Sequence, residues 1–93
     1  MDKNEAKAIA ESELESYRAM PYELIAAKIG YPESFERQSS DGHSYQVEFH
    51  CFYDDSYDRN IRVICNVSYS GWTYFSPVSD DFIIAPDGSF IGE

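Results

Sequence analysis

The chain has 93 residues, which fits one domain of ordinary size, and we expect a single domain over residues 1–93. Its 17 acidic and 7 basic residues give a formal charge of −10, which repels phosphate backbones and anionic lipids. The composition therefore argues against nucleic-acid binding and membrane binding. The negative charge is then interpreted in one of two ways: it attracts a basic protein partner, or it only keeps the protein soluble.

Compartment and redox state are indicated by what the sequence lacks. The N-terminal residues contain no apolar stretch of the secretory type, and no run of about eighteen apolar residues occurs. We therefore expect a cytoplasmic protein. In that compartment Cys51 and Cys65, which lack C-x-x-C spacing, are expected to be reduced residues of the core.

Two helices are predicted before any strand. Asp2 or Asn4 can cap a first helix that runs to about residue 18 or 19. A second helix covers about residues 21–29 and ends at Gly30, a residue type that favours helix ends. The apolar positions recur at helical spacing: Ala6, Ile9, Ala10, Leu14 and Tyr17 in the first helix, then Tyr22, Ile25, Ala26 and Ile29 in the second.

Three strands are predicted next. Residues 35–39 indicate a weak strand, and residues 44–53 and 61–69 alternate strongly between apolar and polar side chains. A three-residue loop with Gly42 in the left-handed region connects the first two strands, because only this loop places Phe35 on the same face as Val47.

The register of the second hairpin is predicted from its matching patterns. We expect Cys51 opposite Cys65 across the pair, with a polar connection over residues 56–60. The same register sets Asp54 beside Arg62 as a favourable cross-strand charge pair.

The C-terminal third predicts shorter elements. Residues 72–76 indicate a strand that stops at Pro77, and residues 82–84 indicate another, followed by an A-P-D-G turn and a short final strand. The expected fold is α+β: two N-terminal helices packed on an antiparallel meander of four to five strands. The first helix is expected on the sheet face lined by Val47, Phe49, Val67 and Tyr69.

The C-terminal half also supports a resemblance. It contains Y-Q-V-E-F, Y-D-D, I-R-V-I, G-W and the closing tract F-S-P-V-S-D-D-F-I-I-A-P-D-G-S-F-I-G-E. These segments resemble a group of short bacterial proteins of unknown function that end in a similar P-D-G-S-F hairpin. The resemblance implies a bacterial cytoplasmic source and N-terminal helices on an antiparallel sheet, and it implies no catalytic or binding residues.

Candidate metal and catalytic sites are weak. The connection between the strands over residues 44–53 and 61–69 is rich in possible oxygen ligands: Asp54, Asp55, Ser56, Asp58 and Asn60. It lacks the glycine and the bidentate glutamate of a calcium loop, and we therefore interpret it as a solvated turn. Asp80, Asp81 and Asp87 are interpreted as turn residues. No nucleophile, phosphate-loop or dinucleotide motif occurs. We expect no cofactor and no metal, and an enzyme is less favoured than a protein without catalytic activity.

A small polar cluster is the best catalytic candidate. His50 shares a strand face with Glu48 and is expected opposite Asn66. A histidine beside a carboxylate can act as a base or a metal ligand, but a metal site needs three or four convergent ligands. We favour the interpretation as a surface histidine.

The polar face of the strands also carries apolar side chains. Phe52 is expected to pair with Ile64, with Phe75 on the next strand diagonally beside it. This candidate patch would be covered either by another segment of the chain, namely the second helix or the C-terminal hairpin, or by a second subunit in a homodimer.

Two functions remain as hypotheses. The first is a non-enzymatic interaction or accessory protein, such as an inhibitor or immunity-type partner that binds a basic protein. The alternative is a small enzyme or ligand-binding domain with a pocket between the sheet and the helices.

Overall fold

The computed structural model describes residues 2–69 and 77–93. The elements are α1 (Lys3–Arg18), α2 (Tyr22–Ala26), β1 (Glu33–Gln38), β2 (Ser44–Tyr53), β3 (Ile61–Tyr69) and β4 (Val78–Ile84). The strands form one antiparallel sheet in the order β1-β2-β3-β4, which is a meander. The α+β fold with two helices and a four-stranded sheet is thus confirmed, while the strand predicted at residues 72–76 lies outside the described residues.

Helix α1 begins at the predicted cap. The side chain of Asp2 accepts a hydrogen bond from the amide of Glu5 at 2.8 Å, which satisfies one of the free donors of the first turn. The helix contacts mainly β3 and β4, although Tyr17 in its last turn stacks on Phe49 of β2 with ring centroids 4.6 Å apart. It therefore lies closer to the β4 side of the sheet than the predicted position.

Helix α2 is shorter than the predicted helix over residues 21–29. Pro21 is its N-cap residue, and beyond Ala26 the chain continues in tighter turns, such as the bond from the amide of Lys28 to the carbonyl of Ile25. Gly30 then reverses the chain with a φ of +83°, a conformation that favours glycine. Ile25 anchors this short helix in the core.

The first hairpin has the predicted register. The amide of Ser39 donates to the carbonyl of His43 at 2.8 Å, and the intervening three-residue loop contains Gly42 at a φ of +86°. Phe35 lies opposite Val47, as expected. The prediction of a three-residue loop with a left-handed glycine is therefore confirmed, and with it the register of this hairpin.

The register predicted for the second hairpin is wrong by two residues. Cys51 lies opposite Val63, and Cys65 lies opposite Phe49. The reason is in the loop, where the carboxylate of Asp55 accepts hydrogen bonds from two following amides and so closes a local turn, which removes this residue from the ladder. A shift of two residues keeps every side chain on its face, so the alternation alone cannot detect it.

The core lies between the inner sheet face and both helices. Both cysteines are buried in it and form no disulfide. Tyr69, expected on this face, is half-buried at the margin. The buried residues of the core are Ala6, Ala10, Leu14, Tyr17, Ile25, Val47, Phe49, Cys51, Ile61, Val63, Cys65, Val67, Phe82 and Ile84.

Strand β4 is longer than the predicted residues 82–84, because its pairing with β3 starts at Val78. The A-P-D-G turn forms as expected, with the amide of Gly88 donating to the carbonyl of Ala85 at 2.8 Å. The final strand is reduced to a single bridge between Ile84 and Phe90.

Candidate interaction surface on the outer sheet face

The side chains of the sheet divide into two sets. One set enters the core with the helices, and the other forms the opposite surface, called here the outer face. Among the described residues, none of the side chains on this face is fully buried. The outer face comprises Ser34, Glu36, Gln38, Ser44, Gln46, Glu48, His50, Phe52, Arg62, Ile64, Asn66, Ser68, Ser79, Asp81 and Ile83.

The predicted apolar patch has a different arrangement in the structure. Phe52 lies opposite Arg62 rather than Ile64, and Ile64 lies opposite His50. This correction follows from the two-residue register shift. Phe52 and Ile64 still share the outer face as diagonal neighbours, while Phe75 lies outside the described residues. The role of this patch in binding remains a prediction.

Two isoleucines that the sequence interpretation missed extend the patch. Ile83 of β4 lies opposite Arg62, and the amide of Ile91 donates to the carbonyl of Ile83 at 2.9 Å. Phe90 packs on the core ring of Phe82, and Ile91 follows it along the chain, bonded to Ile83 of the outer face. Phe52 and Ile91 are 41% and 43% exposed.

Arg62 lies between these apolar side chains and is held by two carboxylates. Its guanidinium bonds to Asp54 at 2.8 Å and also to Asp81 on β4. These hydrogen bonds, first the one to Asp54 and then the one to Asp81, raise the pKa of Arg62 above its usual value. The predicted ion pair between Asp54 and Arg62 therefore forms, but across a diagonal, because Asp54 bonds through its amide to Asn60.

The predicted polar cluster lies on the same face. The His50 Nε2 atom is 3.3 Å from a carboxylate oxygen of Glu48. Asn66 lies opposite Glu48 rather than His50, which is a second correction caused by the register. Both side chains of the pair are partly exposed on an open surface. Within residues 2–69 and 77–93, no group of three His, Cys, Asp or Glu residues is placed to hold a metal ion.

The outer face is acidic. Glu36, Glu48, Asp54 and Asp81 face or border it, and Arg62 is its cation. Its four carboxylates and one guanidinium give a formal local charge of −3. The apolar side chains are therefore surrounded by negative charge.

A third polar cluster, which the sequence interpretation also missed, joins the helices to β1. The hydroxyl of Tyr17 donates to the carboxylate of Glu33, and the ammonium of Lys28 bonds to the same carboxylate at 2.9 Å. Burial, followed by the bond to Glu33, raises the pKa of Tyr17, whereas the bonds from Tyr17 and then Lys28 lower the pKa of Glu33. The phenol therefore stays protonated and the carboxylate stays charged at neutral pH, which fits a structural junction better than proton transfer.

Two clefts lie at the margin between the helices and the sheet. One, of about 420 Å³, lies between α1 and the β1–β2 hairpin and includes Ile9 and Tyr45. The other, of about 320 Å³, lies between α1 and the C-terminal residues and includes Arg18 and Glu93. Among the described residues that line these two clefts there is no His or Cys, so neither contains the predicted polar cluster.

Comparison with known proteins assigns no family to the chain. No family model, curated protein or solved structure matches it. The resemblance carried by the closing tract therefore stays a prediction. None of the helices in the described part of the chain is both long enough and apolar enough to span a membrane.

Proposed function

We propose that this protein is a non-enzymatic interaction protein that binds a basic protein partner through its outer face. The observation that carries this proposal is the group of Phe52, Ile64, Ile83 and Ile91 around Arg62 and its two carboxylate partners, within a surface of local charge −3. Large apolar side chains at the centre with arginine among them, and polar residues around them, are typical of protein interfaces.

The energetics of such a surface favour a partner of opposite charge. Full burial of a large apolar side chain stabilises by about 1.5 to 3 kcal/mol, so the exposed fraction of four such side chains provides part of a binding energy. The acidic rim attracts a basic surface at long range and repels a second acidic one. An inhibitor or immunity-type role toward a basic enzyme is consistent with these properties.

A cytoplasmic location is part of the proposal. Cys51 and Cys65 are both free and buried, and free thiols are typical of proteins in reducing compartments. The alternative of an enzyme with a pocket between the layers is less favoured, because His50 and Glu48 lie on the outer face and outside both marginal clefts.

The test compares two exposed aromatic residues of the same hairpin. Phe52 lies on the outer face, and Tyr57 lies in the connecting loop with 92% of its surface exposed. The native protein and the Phe52→Ser and Tyr57→Ser variants are used to capture partners, and each captured protein is then purified and titrated by calorimetry. We expect a basic partner that binds the native chain and Tyr57→Ser equally, but Phe52→Ser at least about tenfold more weakly.

Salt gives the second measurement of this test. Affinity for the partner should fall as ionic strength rises, because screening removes the attraction between the acidic rim and a basic surface. A partner that binds Phe52→Ser as tightly as the native chain, or whose affinity is insensitive to salt, would contradict the proposal.

A further inference from the structure

Strand β1 forms one edge of the described sheet, and α1 contacts β3 and β4 more extensively than it contacts β1. Its residue Phe35 belongs to the inner face and touches Phe49 edge-on at 6.1 Å between centroids. It is nevertheless 37% exposed, because α1 covers the β3 and β4 side of that face. Phe35 is therefore a partly exposed apolar side chain at the β1 edge, on the core side of the sheet.

The backbone groups on this edge follow from the hairpin. The amide of Ser39 donates to His43 and its carbonyl accepts from Gly42, so both backbone groups of Ser39 turn toward the β2 side. Because this direction alternates along an antiparallel ladder, Arg37, Phe35 and Glu33 also turn their backbone groups toward β2. Ser34 and Glu36 consequently turn their amide and carbonyl groups toward the free edge. A further strand can bond there without loss of any bond inside the chain.

We propose that β1 pairs antiparallel with β1 of a second copy of this chain, around a two-fold axis at Phe35. In this register Phe35 lies opposite the partner's Phe35, and Ser34 lies opposite the partner's Glu36. Glu33 lies opposite the partner's Arg37. The two ends of the strand therefore carry complementary charges that meet across the axis, twice in each dimer.

Neighbouring registers are less favourable. An axis at Glu36 sets two like charges opposite each other, and an axis at Ser34 sets Glu33 against the partner's Phe35. An axis between residues would pair an inner-face side chain with an outer-face one. Of these registers, only the axis at Phe35 pairs side chains of the same face, sets opposite charges against each other and uses the backbone groups that point to the free edge.

The two charged side chains of this contact are each held by an ion pair within their own chain. Glu33 is fixed by Lys28, and Arg37 is fixed by Glu13 at 3.0 Å, with its guanidinium also 4.8 Å from the centre of the Phe35 ring. Both side chains remain partly exposed, so each can accept a second partner of opposite charge. The charge of −10 on each copy opposes association at long range, and added salt should therefore strengthen the dimer.

The dimer would join the two described sheets into one continuous sheet of eight strands. Because the two-fold axis runs perpendicular to the sheet, both outer faces lie on the same side. The inference is independent of the proposed function: Phe52→Ser should leave the dimer intact, whereas loss of the dimer leaves each outer face unchanged.

Sedimentation of the native chain and a proline variant provides the first test. Ser34→Pro removes an edge amide and no ladder bond inside the chain, so the dissociation constant of the dimer should rise about tenfold or more with little change in melting temperature. Ser40→Pro is the matched control, because Ser40 occupies the first central position of the hairpin turn, where proline is tolerated. A native chain that is monomeric at its highest soluble concentration would overturn the proposal.

Cross-linking provides a test of the register. Under an added oxidant, Phe35→Cys should form a covalent dimer, because its two copies face each other across the axis, and Glu36→Cys should not. Burial raises the pKa of the native thiols, to about 11 for Cys51 and about 12 for Cys65, so the introduced thiol reacts first. Equal cross-linking of the two variants, or none with Phe35→Cys, would exclude this register.

Discussion

Phe49 and His50 are neighbours in sequence with opposite environments. Phe49 is 3% exposed and stacks on Tyr17, whereas the ring of His50 lies on the outer face beside Glu48. We expect Phe49→Ala to lower the free energy of unfolding by about 3 to 5 kcal/mol and His50→Ala to lower it by about 0.5 kcal/mol. Denaturant melts of both variants measure the difference, and equal losses would contradict the assigned faces.

For single residues, the sequence predicted which face of the sheet a side chain lies on better than it predicted which residue lies opposite it. The period of two assigned Val47, Phe49 and Val63 to the core correctly. Phe52 and Ile64 were likewise placed on one outer face. Ile83 was missed because the run F-I-I has no polar residue between its apolar ones, and alternation cannot then distinguish a core residue from a surface one.

At the scale of elements, turn chemistry decided which hairpin could be predicted. In the first hairpin only the three-residue loop places Phe35 on the face of Val47, and Gly42 supplies the left-handed residue that this loop requires. The second hairpin contains no glycine, and its left-handed residue is Arg59 at a φ of +59°. Its register depends on the turn closed by Asp55, a local interaction that several loop lengths permit.

Arg18 of α1 contacts the C-terminal segment after β4. The guanidinium of Arg18 lies 4.7 Å from the ring centre of Phe82 and 4.9 Å from that of Phe90, and it bonds to Glu93 at 2.8 Å. Cation–π contacts of this kind contribute about 0.5 to 2 kcal/mol each. The segment therefore depends on a helix residue far from it in sequence.

We expect Arg18→Ala to release this segment locally. The amide of Ile91, which bonds to the carbonyl of Ile83, should then exchange its hydrogen about tenfold faster or more, while amides at the centre of β3 change less. Lys7→Ala is the control, because Lys7 bonds to Ser79 at the other end of β4. Similar exchange rates of Ile91 in the two variants would show that Arg18 does not hold the segment.

At the scale of the whole molecule, the Glu33 carboxylate joins α1, the turn after α2 and β1. Its pKa is lowered in the folded chain, mainly by Tyr17 and then by Lys28, so the folded state binds fewer protons than the unfolded state in acid. The resulting stabilisation is complete above the ordinary value of 4.5 and is lost as pH falls through the lowered pKa.

Thermal melts over this acid range measure the contribution. Glu33→Gln should melt at a lower temperature than the native chain at neutral pH, and the difference should shrink as pH falls below 4.5. Glu36→Gln, an exposed carboxylate on the same strand, controls for the loss of one negative charge. A difference that is constant with pH would mean that Glu33 acts through its shape and not its charge.

The order of the elements has a consequence for synthesis on the ribosome. Each strand pairs with the next one along the chain, so the β1–β2 and β2–β3 hairpins can close as they emerge. Helix α1 is made first, yet it packs on β3 and β4, and its Lys7 bonds to Ser79 across 72 residues. The apolar face of α1 therefore stays exposed until nearly the whole domain has been translated. During this interval the nascent chain is most prone to aggregation.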